Sequence, residues 1–396
     1  MKASSCKQKC DEVLHRRPAA LYVHVPFCRA KCRYCDFYSL PLDPAAANAY
    51  VDAVRRELAA RGACLHLPLA SVFVGGGTPS VLGENLLREL LADIRSLIDG
   101  MTEFSVEVNP GTVDEAVAAA LVDCGTNRVN VGAQSFEAAE LAVLGRIHTP
   151  GQTRAAVEVL RAAGIQNLGL DLIYGIPGQT PATWRSSLGQ AMDLLPDHMS
   201  CYALSFEDDT PLKRDLVAGR VAEMEEPVQR DCYYVAVAAA VAGGLEHYEI
   251  SNFARQGRRC RHNLTYWHNE AYLGVGPGAT SYLDGWRTTT VSDLGAYTEE
   301  LARGGPPASA GEHLTGRREM AETLMLGLRL TQGVDRAAFA GRFGLDPVVA
   351  FPRATARYAE LGALLVEPSR IRISPDALFV ADTVLADIVA EAGEFR

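Results

Sequence analysis

From Leu21 onward, short β-rich apolar runs alternate with amphipathic stretches, and this alternation constrains the fold more than any other feature of the chain. The runs are "LYVHVP", "SVFVGG", "EFSVEVNP", "TNRVNVG", "NLGLDLIYG" and "HMSCYALSF". Helical patterns lie between them at 45–61, 84–98, 113–124, 152–163 and 183–195. Strands separated by helices need right-handed crossovers, and the product is a parallel sheet. Such a sheet is either doubly wound, with its ligand at one switch point, or curled into a full or partial barrel with polar residues spread over many strand ends. Here the unusual residues stand at or just after the ends of several strands. The sequence therefore predicts an α/β fold, a partial (β/α)6-type barrel over residues 19–250. With 396 residues and 48% hydrophobic content, there is enough apolar material for that core and for a second, smaller unit.

Past residue 250 the character changes. "RRCRHNLTYWHNEAYLGVGPGATSYLDGW" is rich in Gly, Asn and aromatics, and "RGGPPASA" at 303–310 reads as a loop or linker. Helical patterns and "LLVEPSRIRISPDAL", two short β runs about a turn, follow. Residues 251–396 are thus expected to form a smaller C-terminal α+β domain with a winged-helix-like end, and residues 1–18 a flexible tail. A winged helix invites a DNA-binding reading. Nucleic-acid affinity rests on clustered Lys and Arg, however, and here the bases are matched by acids in a chain of net charge -10. No nucleic-acid partner is expected, since fold alone does not carry function. The chain has no run of about 18 apolar residues, and "MKASSCKQKCDEVLHRRPAA" lacks the apolar core of a secretory signal. The expected compartment is the cytoplasm, with peripheral membrane association left open and a monomer or homodimer expected. There ten cysteines stay reduced, so a tight group of them reads as metal ligation before disulfides.

Such a group occurs in "HVPFCRAKCRYCDF", where Cys28, Cys32 and Cys35 are spaced C-x3-C-x2-C. Three thiolates on one loop can each hold one iron of a [4Fe-4S] cube, leaving the fourth iron open for chemistry. A tetrahedral zinc site would want a fourth Cys or His. The plain alternative is three small buried hydrophobes, against which stand Arg29, Lys31 and Arg33, which keep the loop wet. His24, four residues before Cys28, is expected to pack or hydrogen-bond. Cys6 and Cys10 are also spaced C-x3-C, but no other ligand lies beside them.

The cysteine loop resembles that of the radical S-adenosylmethionine (SAM) superfamily, where it follows the first barrel strand. The resemblance continues through "VFVGGGTPS", "VEVNP", "GAQSF", "LGRIH" and "DLIYGIPGQT", an ordered set similar to the coproporphyrinogen-oxidase-like branch and covering nearly the whole chain. It implies SAM chelating the open iron through its methionyl amino and carboxylate groups. Gly76 and Gly77, with Thr78 after them, would let the backbone approach the ligand closely. Glu107 would accept from an ammonium or ribose hydroxyl, and Arg146 would pair with the methionyl carboxylate. Gln134 and Asp171 are poor residues for the end of an apolar strand unless something polar binds there. Tyr22 and Tyr34 flank the loop and match positions near the methionyl group or adenine. If SAM is cleaved, the cofactors do the chemistry and the protein supplies position and dryness. No catalytic residue is assigned.

Residue 37 separates two members of that branch. Oxygen-independent coproporphyrinogen III oxidases continue the loop as C-x3-C-x2-C-x-C and carry a longer N-terminal extension, whereas this chain has Phe37 and a short lead into its first strand. HemW-type heme chaperones share the three cysteines and carry H-N-x-x-Y-W after the barrel, and His262-Asn263-Leu264-Thr265-Tyr266-Trp267 fits that pattern. Heme iron accepts an imidazole ligand, and Tyr266 and Trp267 offer flat apolar faces to a porphyrin. His262 is therefore the expected axial ligand, with His268 and Cys260 as lesser candidates. The resemblance implies a protein that binds heme and hands it from a donor to recipient heme proteins. The alternative is an enzyme that oxidatively decarboxylates coproporphyrinogen III.

Overall fold

The computed structural model describes residues 19–61, 69–98 and 102–393. The expected N-terminal tail, with Cys6 and Cys10, and also Cys64, lie outside the described residues. The first strand, β1 (Ala20–Val25), leads through the cysteine loop to α1 (Pro44–Arg61). There follow β2 (Ser71–Gly76), α2 (Gly83–Arg95), β3 (Glu103–Val108), α3 (Glu115–Asp123), β4 (Arg128–Gln134), α4 (Ala138–Leu144), α5 (Pro150–Ala163), β5 (Leu168–Tyr174), α6 (Pro181–Asp193) and β6 (His198–Ala203). The six strands lie side by side in chain order and pair in parallel throughout.

Helix boundaries follow local chemistry. Thr149 and Thr180 each accept from the backbone N–H three residues on, and Pro150 and Pro181 occupy the first helical position, where the missing N–H is no loss. The two faces of the strands have opposite composition, as a period of two requires. Leu21, Val23, Val72, Val74, Phe104, Val106, Val129, Val131, Leu170 and Leu172 are buried in the main apolar cluster, which also takes in the helices. The alternate residues, among them His24, Glu107, Asn130, Gln134 and Asp171, turn to the concave side. A polar concave face beneath an apolar shell has to be filled by something polar.

The sheet does not stop at six strands. After α7 (Pro211–Val217) and α8 (Glu226–Ala242), β7 (Glu246–Glu249) and β8 (Asn252–Ala254) extend it antiparallel beyond β6. Helix α9 (Arg261–Trp267) then carries the chain to the other edge. There β9 (Tyr272–Val275) pairs in parallel with β1, and β10 (Thr280–Leu283), β11 (Trp286–Thr290) and, after α10 (Leu294–Ala302), β12 (Ser309–His313) continue antiparallel. The result is one twelve-stranded sheet. Residue 250 stands between β7 and β8 of this sheet, which runs on at its other edge to His313.

The smaller unit begins with α11 (Arg317–Gly327). It holds a three-stranded sheet of β13 (Val334–Asp335), β14 (Leu364–Val366) and β15 (Arg370–Ile373), with β15 in the middle, and ends in α15 (Ala381–Glu391) once the short helices between 336 and 360 are numbered α12 to α14. It leans on α9: the guanidinium of Arg329 lies 4.8 Å from the Trp267 ring centroid, and Arg342 donates to the carbonyls of His268 and Asn269.

Candidate functional site at the barrel mouth

The cysteine loop is laced to the strand ends by its own backbone. Phe27–Cys28 pairs in parallel with Leu40–Pro41, Thr78 N donates to Phe27 O at 2.7 Å, and Arg33 N donates to Leu144 O at 2.9 Å. Arg33 also forms an ion pair with Asp215. The glycine run is explained by this lacing. A Cβ on Gly77 would lie 2.5 Å from Phe27 O, and one on Gly76, at φ +102°, would lie 2.4 Å from the His24 ring. The glycines bring β2 against the loop, so close approach here is to the protein's own backbone as well as to the cavity.

Below the loop is a cavity of about 450 Å³, within the range of small-molecule sites. Cys28, Cys32 and Cys35 line it together with Tyr34, Gly76, Gly77 and Thr78, with Glu107, Gln134 and Asp171 from the strands and Arg146 from the segment after α4. All the expected cluster residues and all but one of the expected SAM residues thus share one cavity. Among the described residues no three His, Cys, Asp or Glu side chains are gathered closely enough to hold a single metal ion. Thiols spread around one pocket suit a cube of irons, each taking one iron, better than a zinc ion. Burial raises the Cys28 and Cys35 thiols, Cys35 to about 11, so without metal they are protonated. Arg146 places Nη1 3.4 Å from Cys32 Sγ and donates through Nη2 to Gly132 O at 2.6 Å. Burial opposes its charge, but Tyr34, Cys32 and Cys28 around it outweigh that. Arg146 is thus set to stabilise thiolates, with its position at the cavity wall also open to a ligand carboxylate.

Two carboxyls occupy the floor. Burial, followed by the nearness of Asp171, pushes Glu107 up to about 8, although Gly76 N donates to its Oε2 at 3.2 Å. Asp171 is also raised by burial, against the opposing pull of Ser200 and Arg128. A pocket floored by such groups favours a ligand that brings a positive charge or hydroxyl donors. Gln134 is held at φ 63°, where β4 loses register with β5 between Val131 and Gln134. That bulge turns the Gln134 amide into the cavity, and a strained backbone at a strand end commonly marks a working site.

Three placements depart from expectation or were missed. Tyr22 does not line this cavity. It sits one strand step deeper, paired in register with Phe73, and its hydroxyl meets His24 Nδ1 at 3.1 Å. Asn130, also on the cavity wall, has a buried Oδ1 with no partner and was not anticipated, although its two-residue spacing from Gly132 and four from Gln134 puts it on the same face. His262 is 1% exposed beneath the barrel, its Nδ1 3.0 Å from Ser71 Oγ and its Nε2 2.8 Å from Tyr266 Oη. Both ring nitrogens are engaged, and burial lowers the imidazole to about 3. Helix α9, capped by Glu103 accepting from Arg261 N and His262 N, sets the ring against Tyr22 and Phe73. Cys260 is buried against Glu103, and His268 is exposed at the helix end.

A radical SAM superfamily model matches residues 22–190, and a HemN C-terminal domain model matches residues 314–380. The chain is 32% identical over 374 residues to the heme chaperone HemW of Bacillus subtilis (strain 168), spanning 93% of this chain and 99% of that one. It is 39% identical over 331 residues to the heme chaperone HemW of Synechocystis, spanning 80% and 79%, and 30% identical over 356 residues to that of Escherichia coli (strain K12), spanning 85% and 89%. The solved structure of coproporphyrinogen III oxidase (HemN) from Escherichia coli superposes with a TM-score of 0.84 at 21% identity, covering 97% of this chain and 93% of that one, which speaks to fold. Identity at this level along nearly the whole of both chains, on a barrel whose mouth gathers three cysteines above buried carboxyls, makes this chain a member of the HemW heme-chaperone family within the radical SAM superfamily.

Proposed function

We propose that the protein binds heme and passes it to heme-requiring proteins, carrying a [4Fe-4S] cluster on Cys28, Cys32 and Cys35 and SAM in the cavity beneath them. The observation that carries the reading is the likeness to heme chaperones along 93% of the chain. Phe37 supports it: where a fourth loop cysteine would stand there is an apolar ring, 62% exposed at the rim of the cavity.

When bound, the cluster supplies single electrons at the barrel mouth. The chain's own residues do the rest. Cys28, Cys32 and Cys35 give one thiolate each, and Arg146 offsets their charge from beside Cys32. Glu107 and Asp171 meet the cationic and hydroxyl groups of SAM, while Gln134 and Asn130 offer amides. The apolar shell of strands and helices lies behind the floor and fixes the strands that carry these side chains. The seven described cysteines are free thiols, which supports placement in a reducing compartment such as the cytoplasm. No helix among the described residues is long and apolar enough to cross a membrane.

Paired assays on reconstituted protein test the reading. Hemin titration should give a saturable Soret change and transfer to an apo heme protein, while coproporphyrinogen III with SAM and reductant should give no vinyl product. Stoichiometric vinyl formation would establish the decarboxylase instead.

A further inference from the structure

We infer that His148 is a positioning residue for the cluster: it fixes the direction in which Arg146 presents its guanidinium to Cys32. The inference rests on the cluster reading above and adds to it a residue from behind the cavity wall. Residues 145–149 join α4 to α5. Gly145, at φ 70°, closes α4, and Thr149 caps α5, so both ends of the segment are held. Arg146 N also donates to Leu141 O at 2.9 Å. Between those anchors Ile147 is exposed while His148 is buried and Arg146 reaches the cavity. The backbone is thus settled, and the freedom left is in the long arginine side chain. Three contacts remove it. Nη2 donates to Gly132 O at 2.6 Å, Nη1 stands 3.4 Å from Cys32 Sγ, and Nε donates to His148 Nδ1 at 3.4 Å.

The imidazole is held in its turn. Its Nε2 stands 3.1 Å from Ala133 O, and a carbonyl oxygen only accepts, so Nε2 carries the proton. A guanidinium N–H only donates, so Nδ1 offers its lone pair. Both partners require the same neutral tautomer. Burial, followed by the nearby Arg146 charge, lowers His148 to about 4, in agreement with that assignment. Gly132 and Ala133 are consecutive residues of β4, so one strand anchors the guanidinium directly and, through the imidazole, a second time. A buried apolar ring would fill the same space as His148. It would supply no acceptor for Nε, and the guanidinium could then turn away from Cys32. Charge and hydrogen bonds at the sulfurs set the reduction potential of an iron–sulfur cluster, and the groups behind them hold the donors in line. An N–H aimed at a thiolate stabilises the more negative, reduced state. His148 therefore raises the potential, and does so through Arg146.

Redox titration of the full chain, cluster reconstituted and SAM absent, followed by electron paramagnetic resonance, tests the assignment. His148→Phe keeps a ring and removes both nitrogens. Its cluster should be about ten-fold less readily reduced than that of the wild type, a midpoint lower by about 59 mV, with iron and sulfide content unchanged. His148→Asn places a carbonyl oxygen near the position of Nδ1 and should recover most of that shift. His148→Gln reaches the position of Nε2 instead and should not. In an Arg146→Lys background His148→Phe should move the midpoint no further, because the group it acts through is gone. A wild-type midpoint in His148→Phe overturns the proposal, and so does an equal further fall in the Arg146→Lys background. If His148→Phe fails to fold, equal midpoints in His148→Asn and His148→Gln overturn it. A wild type with no cluster signal at all would remove the cluster reading itself, and the proposal with it.

Discussion

Glu107 and Asp171 face one another across the barrel floor, both buried, and Asp171 is the second cause after burial of the rise in Glu107 to about 8. A carboxyl raised in the fold binds a proton that the unfolded chain releases, so its contribution to stability is full at acid pH and is lost as pH rises through the folded value. The ligand-free protein should therefore lose stability between about pH 5 and 8. Glu107→Gln should flatten that slope in thermal unfolding and add on the order of 1–2 kcal/mol at pH 8. SAM should do the reverse. Its cationic groups favour the ionised carboxyl, so calorimetry in buffers of different ionisation enthalpy should show proton release on binding below pH 8. An unchanged slope in Glu107→Gln would mean that Glu107 is not protonated in the empty cavity.

The cluster assignment has a direct check. Cys28→Ala, Cys32→Ala and Cys35→Ala should each abolish bound iron and sulfide after anaerobic purification, since all three thiols line the cavity. Cys6→Ala, Cys10→Ala, Cys64→Ala and the buried Cys124→Ala should keep both. Full cluster content in all three loop variants would sink the assignment.

Gln134 separates binding from backbone comfort. At φ 63° a non-glycine residue is strained, so Gln134→Gly should relieve about 1 kcal/mol of that strain and also remove an amide from the cavity. The expected outcome is a protein at least as stable, with full cluster content and weaker SAM binding. Asp171→Ala should weaken SAM likewise. Unchanged affinity in the double variant would put the pocket elsewhere.

The barrel and its strand-end residues could be read from the chain because two signals agreed there: short β-rich apolar runs alternating with helical stretches marked the strands, and polar residues at their ends marked the mouth. Gln134 and Asp171 stood out for that reason. What could not be read depended on contacts far apart in sequence. The pairing of Tyr272 to Val275 with β1 joins residues some 250 positions apart, and the Gly-, Asn- and aromatic-rich composition there does not show it. Tyr22 was one strand step too deep to be separated from its neighbours by pattern. The enclosure of His262 by Ser71, Phe73 and Tyr266 joins residues up to 191 positions apart, which no local motif encodes.

Gly77 tests whether the glycine run serves the loop. A methyl there meets Phe27 O at 2.5 Å and Val25 O at 2.8 Å, both backbone atoms that cannot swing aside. Gly77→Ala should cost about 1–3 kcal/mol or more and lower cluster occupancy, because the strain falls on the peptide bonded to Cys28. Gly83→Ala meets no atom within 4 Å but sits at φ +74°, so it should lose stability and keep its iron. Equal iron loss in both would show that the fold, and not the loop, fails.

Phe37 lines the cavity beneath the cysteine loop and a second one, about 590 Å³, beside Tyr22, Tyr266 and Tyr272, and is 62% exposed. An exposed ring has little core to stabilise, so Phe37→Cys should change folding stability by no more than about 0.5 kcal/mol. It supplies the fourth loop thiol of the rival enzyme, at the spacing C-x3-C-x2-C-x-C. Restoring a thiol leaves the aromatic wall of Tyr22, Tyr266 and Tyr272 as it is. The variant should therefore hold its cluster, still bind hemin, and form no vinyl product from coproporphyrinogen III with SAM and reductant. Vinyl product from the variant alone would show that one side chain at the rim separates carrier from decarboxylase. Product from the wild type would overturn the chaperone reading.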